Sequence, residues 1–149
     1  MPKTQPTATY DDVNLVIRLY ELRRETKLRT ARDWFISSCK PKSFEELMKQ
    51  CPPGSPENTN LRMVASYWDM AASFITAGVL NAGLFFESNR EMLVVWERLK
   101  PAIKGLREAY QDQLMMSNLE SVAADYVGWM EERQPGSYKA WLSNTVTER

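Results

Sequence analysis

Without histidine, this chain cannot build a Ser-His-Asp triad, a Cys-His pair or a His-ligated metal site. Two cysteines, Cys39 and Cys51, and a scatter of carboxylates remain. Two thiolates alone do not complete a tetrahedral zinc site. Glu87, Glu91 and Glu97 lie near one another in sequence, but nothing pairs them with a substrate pocket as glycosidase carboxylates require. No Walker loop, GxGxxG or GxSxG motif occurs. No catalytic residue, metal site or cofactor is therefore expected. The first ten residues show no apolar signal segment, so the expectation is a cytoplasmic setting in which both thiols stay free.

Charge narrows the field further. The 149 residues carry 19 basic and 19 acidic groups, which removes a bulk attraction to nucleic acid or anionic membrane. Arg18, Arg23, Arg24, Lys27, Arg29 and Arg32 cluster near the N-terminus. On a helix they spread around the axis among acids, so they read as a solvated surface and not as a nucleic-acid face. Arg24 is the exception. On one continuous helix it falls inside the apolar arc between Tyr20 and Leu28, so it is expected to be a buried charge that snorkels or meets a carboxylate such as Asp69 or Glu91.

The elements that must position these residues are all helical. No window alternates at period two. A first helix is expected over about 11–38, capped by Asp11 or Asp12, with Val13, Val16, Ile17, Tyr20, Leu28, Ala31, Trp34 and Phe35 on its main buried face and a second apolar stripe of Leu15, Leu19 and Leu22 packing its first half on another side. A short helix follows Ser43 over 44–50. The loop 51–60 holds three of the chain's eight prolines. A third helix over about 59–77 is apolar around most of its circumference, which marks it as central and buried. Its narrow polar stripe is Arg62, Ser66, Asp69, Ser73 and Thr76. A short piece from Asn81 to Ser88 precedes a long helix over about 89–116, whose apolar phase continues through Pro101, so that Pro101 is expected to kink it. Ser117-Asn118-Leu119-Glu120 reads as a capping box opening a helix that ends near Arg133. Residues 137–144 add a last turn. The whole is an all-α, irregular helical bundle of five to six helices in a single domain over 11–149, with a flexible tail over 1–10.

The longest uncharged stretch, Met70–Phe86, falls short of the roughly 20 residues that a membrane span needs. Trp34, Trp68, Trp96 and Trp129 recur at similar spacings, but their flanks share nothing else, which argues against a helical-repeat array.

The segment Phe74–Leu80 (FITAGVL), together with Trp96-Glu97-Arg98-Leu99-Lys100-Pro101 and Arg107, resembles small bacterial helical domains of unknown function. The resemblance implies an all-helical fold and supplies no activity. Some of those relatives carry an N-terminal membrane anchor, which is not evident in this chain.

Two readings of function follow. The first is a protein-interaction or regulatory module with an unknown protein partner, self-associating as a homo-oligomer through an exposed Trp/Met face. Its requirement is a contiguous apolar surface patch. The second is a small-ligand binder or histidine-independent enzyme, with a cleft between the central and Pro-containing helices walled by Tyr67, Trp68, Asp69, Trp96 and Arg107. Its requirement is a cavity of about 300 Å³ or more. Nucleic-acid binding through the basic first helix is a third and weaker reading.

Overall fold

In a computed structural model that describes residues 6–145, the first helix opens on Thr9. Its hydroxyl accepts the Asp12 N–H, and the Asp12 carboxylate accepts the Thr9 N–H at 2.7 Å. This reciprocal box starts α1 (Tyr10–Arg23). Asp12 is therefore its third helical residue, and neither Asp11 nor Asp12 is the cap itself. Of the expected tail, residues 1–5 lie outside the described residues. Pro6 is held, its carbonyl accepting the Asn81 side-chain amide at 2.7 Å.

The expected 11–38 helix is two helices. Glu25 takes up a non-helical conformation and its carboxylate accepts the N–H groups of Lys27 and Leu28. That cap starts α2 (Thr26–Ser38) and breaks the helical phase at Arg24 and Glu25. Of the two faces expected to pack in α1, the Leu15 and Leu19 stripe is the one that does. Leu19 is fully buried, Leu15 and Val16 are partly so, and Val13, Ile17 and Tyr20 face outward. The predicted face holds in α2, where Leu28, Ala31 and Phe35 are buried.

Ser43 caps α3 (Phe44–Gln50) by accepting the Glu46 N–H, while the Glu46 carboxylate accepts the Lys42 N–H instead of that of Ser43, so only the first half of the expected capping box forms. Ser55 caps α4 (Pro56–Thr76), with Pro56 at its first position. Val64, Trp68, Ala71 and Ala72 on α4 are fully enclosed, as expected of a central helix. Asn81 caps α5 (Ala82–Ser88). The long helix is α6 (Glu91–Ala109), which runs unbroken through Pro101 and ends seven residues earlier than the pattern suggested. Next come α7 (Ser117–Arg133) and α8 (Ser137–Thr145). Among the described residues there are eight helices and no strand, against the five to six expected. The surplus comes from the break at Arg24 and from short pieces that make full helices.

The core sits where α4 packs against α2 and α7, with α6 closing it against α3 and α7. Trp68, Phe85, Phe86 and Tyr126 form a run of aromatic contacts through its centre. Burying several such rings dominates the hydrophobic stabilisation of a domain this size.

Candidate functional site

The buried cation is Arg23, one residue away from Arg24. Arg24 is exposed, its guanidinium 5.7 Å from the Tyr20 ring centroid. The break after α1 explains the exchange, because Arg24 no longer continues the apolar arc. Arg23 donates to the Tyr67 hydroxyl at 3.2 Å and to Asn89 Oδ1 at 2.8 Å, and lies 5.2 Å from the Trp68 ring centroid. Tyr67 donates to the Leu19 carbonyl at 2.6 Å, and Asn89 donates to the Phe85 carbonyl at 2.8 Å. The cluster ties α1, α4 and the end of α5 together through hydrogen-bonded polar atoms. Burial pushes the Tyr67 phenol above its usual range, though the Arg23 charge opposes this. Tyr67 and Trp68 are thus integral to the core and form no cleft wall.

Glu91, named above as a partner for Arg24, instead meets Arg32 at 2.6 Å and joins α6 to α2. Asp69, the other named partner, accepts the Leu119 N–H at the start of α7. Trp96 is buried in the core. Arg107 donates to the Met115 carbonyl at 3.0 Å and pairs with Glu120 at 3.2 Å. The five residues proposed as a cleft wall are therefore not brought together around one cavity.

A second buried cation escaped the sequence reading. Arg98 donates to the Phe35 and Ile36 carbonyls at 2.9 and 2.5 Å, and so caps the C-terminal end of α2 with positive charge. Burial pulls its pKa down, and the neighbouring Cys39 works the other way. Its position on α6 puts it one turn from the buried Val94, Val95 and Ala102, an i,i+3 and i,i+4 spacing that the sequence does contain. The thiols of Cys39 and Cys51 are both free and enclosed. Burial pushes Cys39 up to about 12 and raises Cys51 as well. Neither is poised as a thiolate nucleophile at neutral pH.

Two features are not absorbed by the fold. One is the outward face of α1. The other is a cleft of about 670 Å³ between α4 and α6, which is the pair of helices the sequence pointed to. Leu61, Ala65, Leu99 and Ile103 form its floor, and Met48, Met115 and Met116 its sides. No residue of α1 lines it, and none of Tyr67, Trp68, Asp69, Trp96 or Arg107 does. Arg107 touches it only through the Met115 carbonyl that it holds. Of the five residues expected in its wall, Tyr67, Trp68 and Trp96 turn into the core instead. No group of His, Cys, Asp or Glu among the described residues could hold a metal ion. No helix among them is long and apolar enough to cross a membrane.

Against known proteins, one family model matches residues 8–126: Domain of unknown function (DUF4760). The match covers more of the chain than the segment from which the resemblance was read, and agrees with it in kind, a helical domain of unknown function. No curated protein and no solved structure matches the chain.

Proposed function

Because the chain belongs to the DUF4760 family, whose function is unknown, its role must be argued from its own surfaces, and we propose that it is a protein-interaction module that pairs with a second copy of itself through the outward face of α1. The carrying observation is a stripe of four apolar side chains. Tyr10, Val13, Ile17 and Tyr20 are 81%, 39%, 50% and 52% exposed. Their spacing of three, four and three residues is that of the a and d positions of a heptad, the pattern by which one helix packs along another. The opposite side of the same helix already packs on the core through Leu19 and Leu15. Exposed apolar side chains aligned in this way mark an interaction site, whereas scattered ones need no explanation.

The expected Trp/Met face is corrected here. Trp68 and Trp96 are buried, and Trp34, Trp129 and Trp141 pack against the core. The contact surface is instead built from Tyr, Val and Ile. Asn14, Arg18 and Glu21 flank the stripe and are exposed, giving it the polar rim of an interface.

Light scattering on the eluting protein tests the reading. The expected mass is twice the 17.2 kDa of one chain, falling to one chain for Ile17→Glu with an unchanged circular dichroism spectrum. Wild-type protein that stays at one chain mass at every concentration overturns it.

A further inference from the structure

The cleft between α4 and α6 is a second site, independent of the α1 face, and we infer that it binds a molecule with an aliphatic chain and a carboxylate head, the head meeting Arg62. Three observations converge on this chemistry. The first is the cavity itself. At about 670 Å³ it lies inside the usual size range of small-molecule sites, roughly 300–1,000 Å³. Its interior is mostly aliphatic and thioether, and methionines such as Met48, Met115 and Met116 adapt to an unbranched chain better than rigid aromatic walls do.

The second is Arg62. Among the described residues it is the only cation in the lining, and none of their Asp or Glu side chains lines the cavity. It is exposed. Among the described residues its guanidinium has no ion pair or hydrogen bond. The other arginines near the core are all engaged: Arg23 by Tyr67 and Asn89, Arg32 by Glu91, Arg98 by the end of α2, Arg107 by Glu120. A free guanidinium beside an acid-free apolar cavity suits one anionic head group, which it can bind by two parallel hydrogen bonds. Ser66, one turn further along α4, lies on the same wall, its hydroxyl donating to the Met63 carbonyl at 3.4 Å.

The third is the segment that joins α6 to α7. Gln111 and Met116 are the only described non-glycine residues in the left-handed region, with φ of 51° and 59°. They bracket a connector whose Tyr110, Met115 and Met116 form one side of the cavity. Residues held in that conformation cost free energy and persist only where surrounding contacts fix them; they gather at ligand clamps. Here Arg107 fixes the connector through the Met115 carbonyl. The connector is thus held in a shape that keeps the cavity walled.

Calorimetric titration with decanoate and with decanol separates the parts of this inference. Wild-type protein is expected to bind decanoate more tightly than decanol. Arg62→Ala is expected to weaken decanoate by about tenfold, the worth of one charge-assisted contact, and to leave decanol unchanged. Ser66→Trp, at an exposed position, is expected to abolish binding of both by filling the mouth. Unaltered circular dichroism shows that the variants fold. Decanoate that does not bind, or that binds Ser66→Trp as well as wild type, overturns the site. Decanoate and decanol that bind alike, with Arg62→Ala indifferent, overturn the carboxylate head. None of these outcomes bears on the α1 pairing, whose test reads mass alone.

Discussion

The Asp69 carboxylate, on the central helix, accepts the backbone N–H of Leu119 at 3.0 Å and so caps a helix fifty residues further along the chain. The sequence offers Ser117 and Glu120 as a capping box for that helix. The structure does not use it. Met116 turns into the left-handed region, and Ser117 becomes the first helical residue instead of the cap. No local side chain then satisfies the first N–H groups of α7. Asp69 supplies the acceptor from outside and places negative charge at the positive end of the helix.

Asp69→Ala should therefore destabilise the protein as loss of a cap does, by about 1 kcal/mol. Asp69→Asn keeps an acceptor and should lose less. Urea unfolding of the three proteins checks this. Equal stability of wild type and Asp69→Ala would show that α7 needs no outside cap.

Arg23 and Arg24 should behave as opposites despite being neighbours. Arg24→Ala removes an exposed side chain and should change stability by no more than about 0.5 kcal/mol. Arg23→Ala leaves Asn89 Oδ1 without its donor and strips a cation from the Trp68 ring. A buried acceptor left unpaired costs about 1–3 kcal/mol, and the lost packing adds to it. The contrast between the two variants in one denaturation series is the measurement. A larger loss at Arg24 would place the buried charge where the unbroken helix puts it.

That pair also shows what the sequence could and could not convey. Periodicity gives the all-helical class and the central helix, because a 3.6-residue repeat survives in any long amphipathic segment. It failed at Arg24 and Glu25, where a carboxylate reaches two backbone N–H groups and restarts the helix at a new phase. On the N-terminal side of that break, Val13, Ile17 and Tyr20 face outward and the second stripe, through Leu19, carries the packing alone. The cleft wall failed for a different reason. Tyr67, Trp68 and Trp96 are large aromatic side chains, and in a domain this size such side chains are drawn into the core. Arg62 and Ser66 were visible as part of a polar stripe, but only tertiary packing shows which part of that stripe borders a cavity.

Acid should unfold the protein partly through Asp12. Hydrogen bonds from the Thr9 N–H at 2.7 Å and the Asn81 N–H at 2.8 Å hold its carboxyl below the ordinary value of 3.8. A pKa lowered on folding means that the stabilisation is present above pH 3.8 and is lost as pH falls through the folded-state value. Glu25 and Glu131, each accepting two backbone N–H groups, are lowered in the same way from 4.5. Melting temperature should therefore fall with pH below about 4.5. Asp12→Asn should start lower at neutral pH, and its gap to wild type should close in acid. Parallel curves for the two proteins would mean that the Asp12 charge contributes nothing to folding.

Gly105 is the position at which helix propensity and packing should disagree in sign. In the interior of a helix, Gly→Ala ordinarily gains about 1 kcal/mol. Gly105 lies inside α6, yet a Cβ built on it would sit 2.4 Å from both Cβ and Cγ of Phe44, far inside van der Waals contact. Phe44 is the first residue of α3, and the missing side chain is what lets α3 seat on α6. Adding a methyl group must push the two helices apart, and overpacking of this kind costs about 1–3 kcal/mol. Gly105→Ala should thus lower the urea midpoint in spite of its better propensity. In a Phe44→Gly background both clashing atoms are gone, and the same substitution should turn neutral or stabilising. The double-mutant cycle isolates the contact from the propensity, because the two residues touch and their effects cannot add. Gly105→Ala that stabilises the wild-type background would mean that Phe44 does not rest on α6, and the wall of the neighbouring cleft formed by Met48 of the same short helix would lose its anchor.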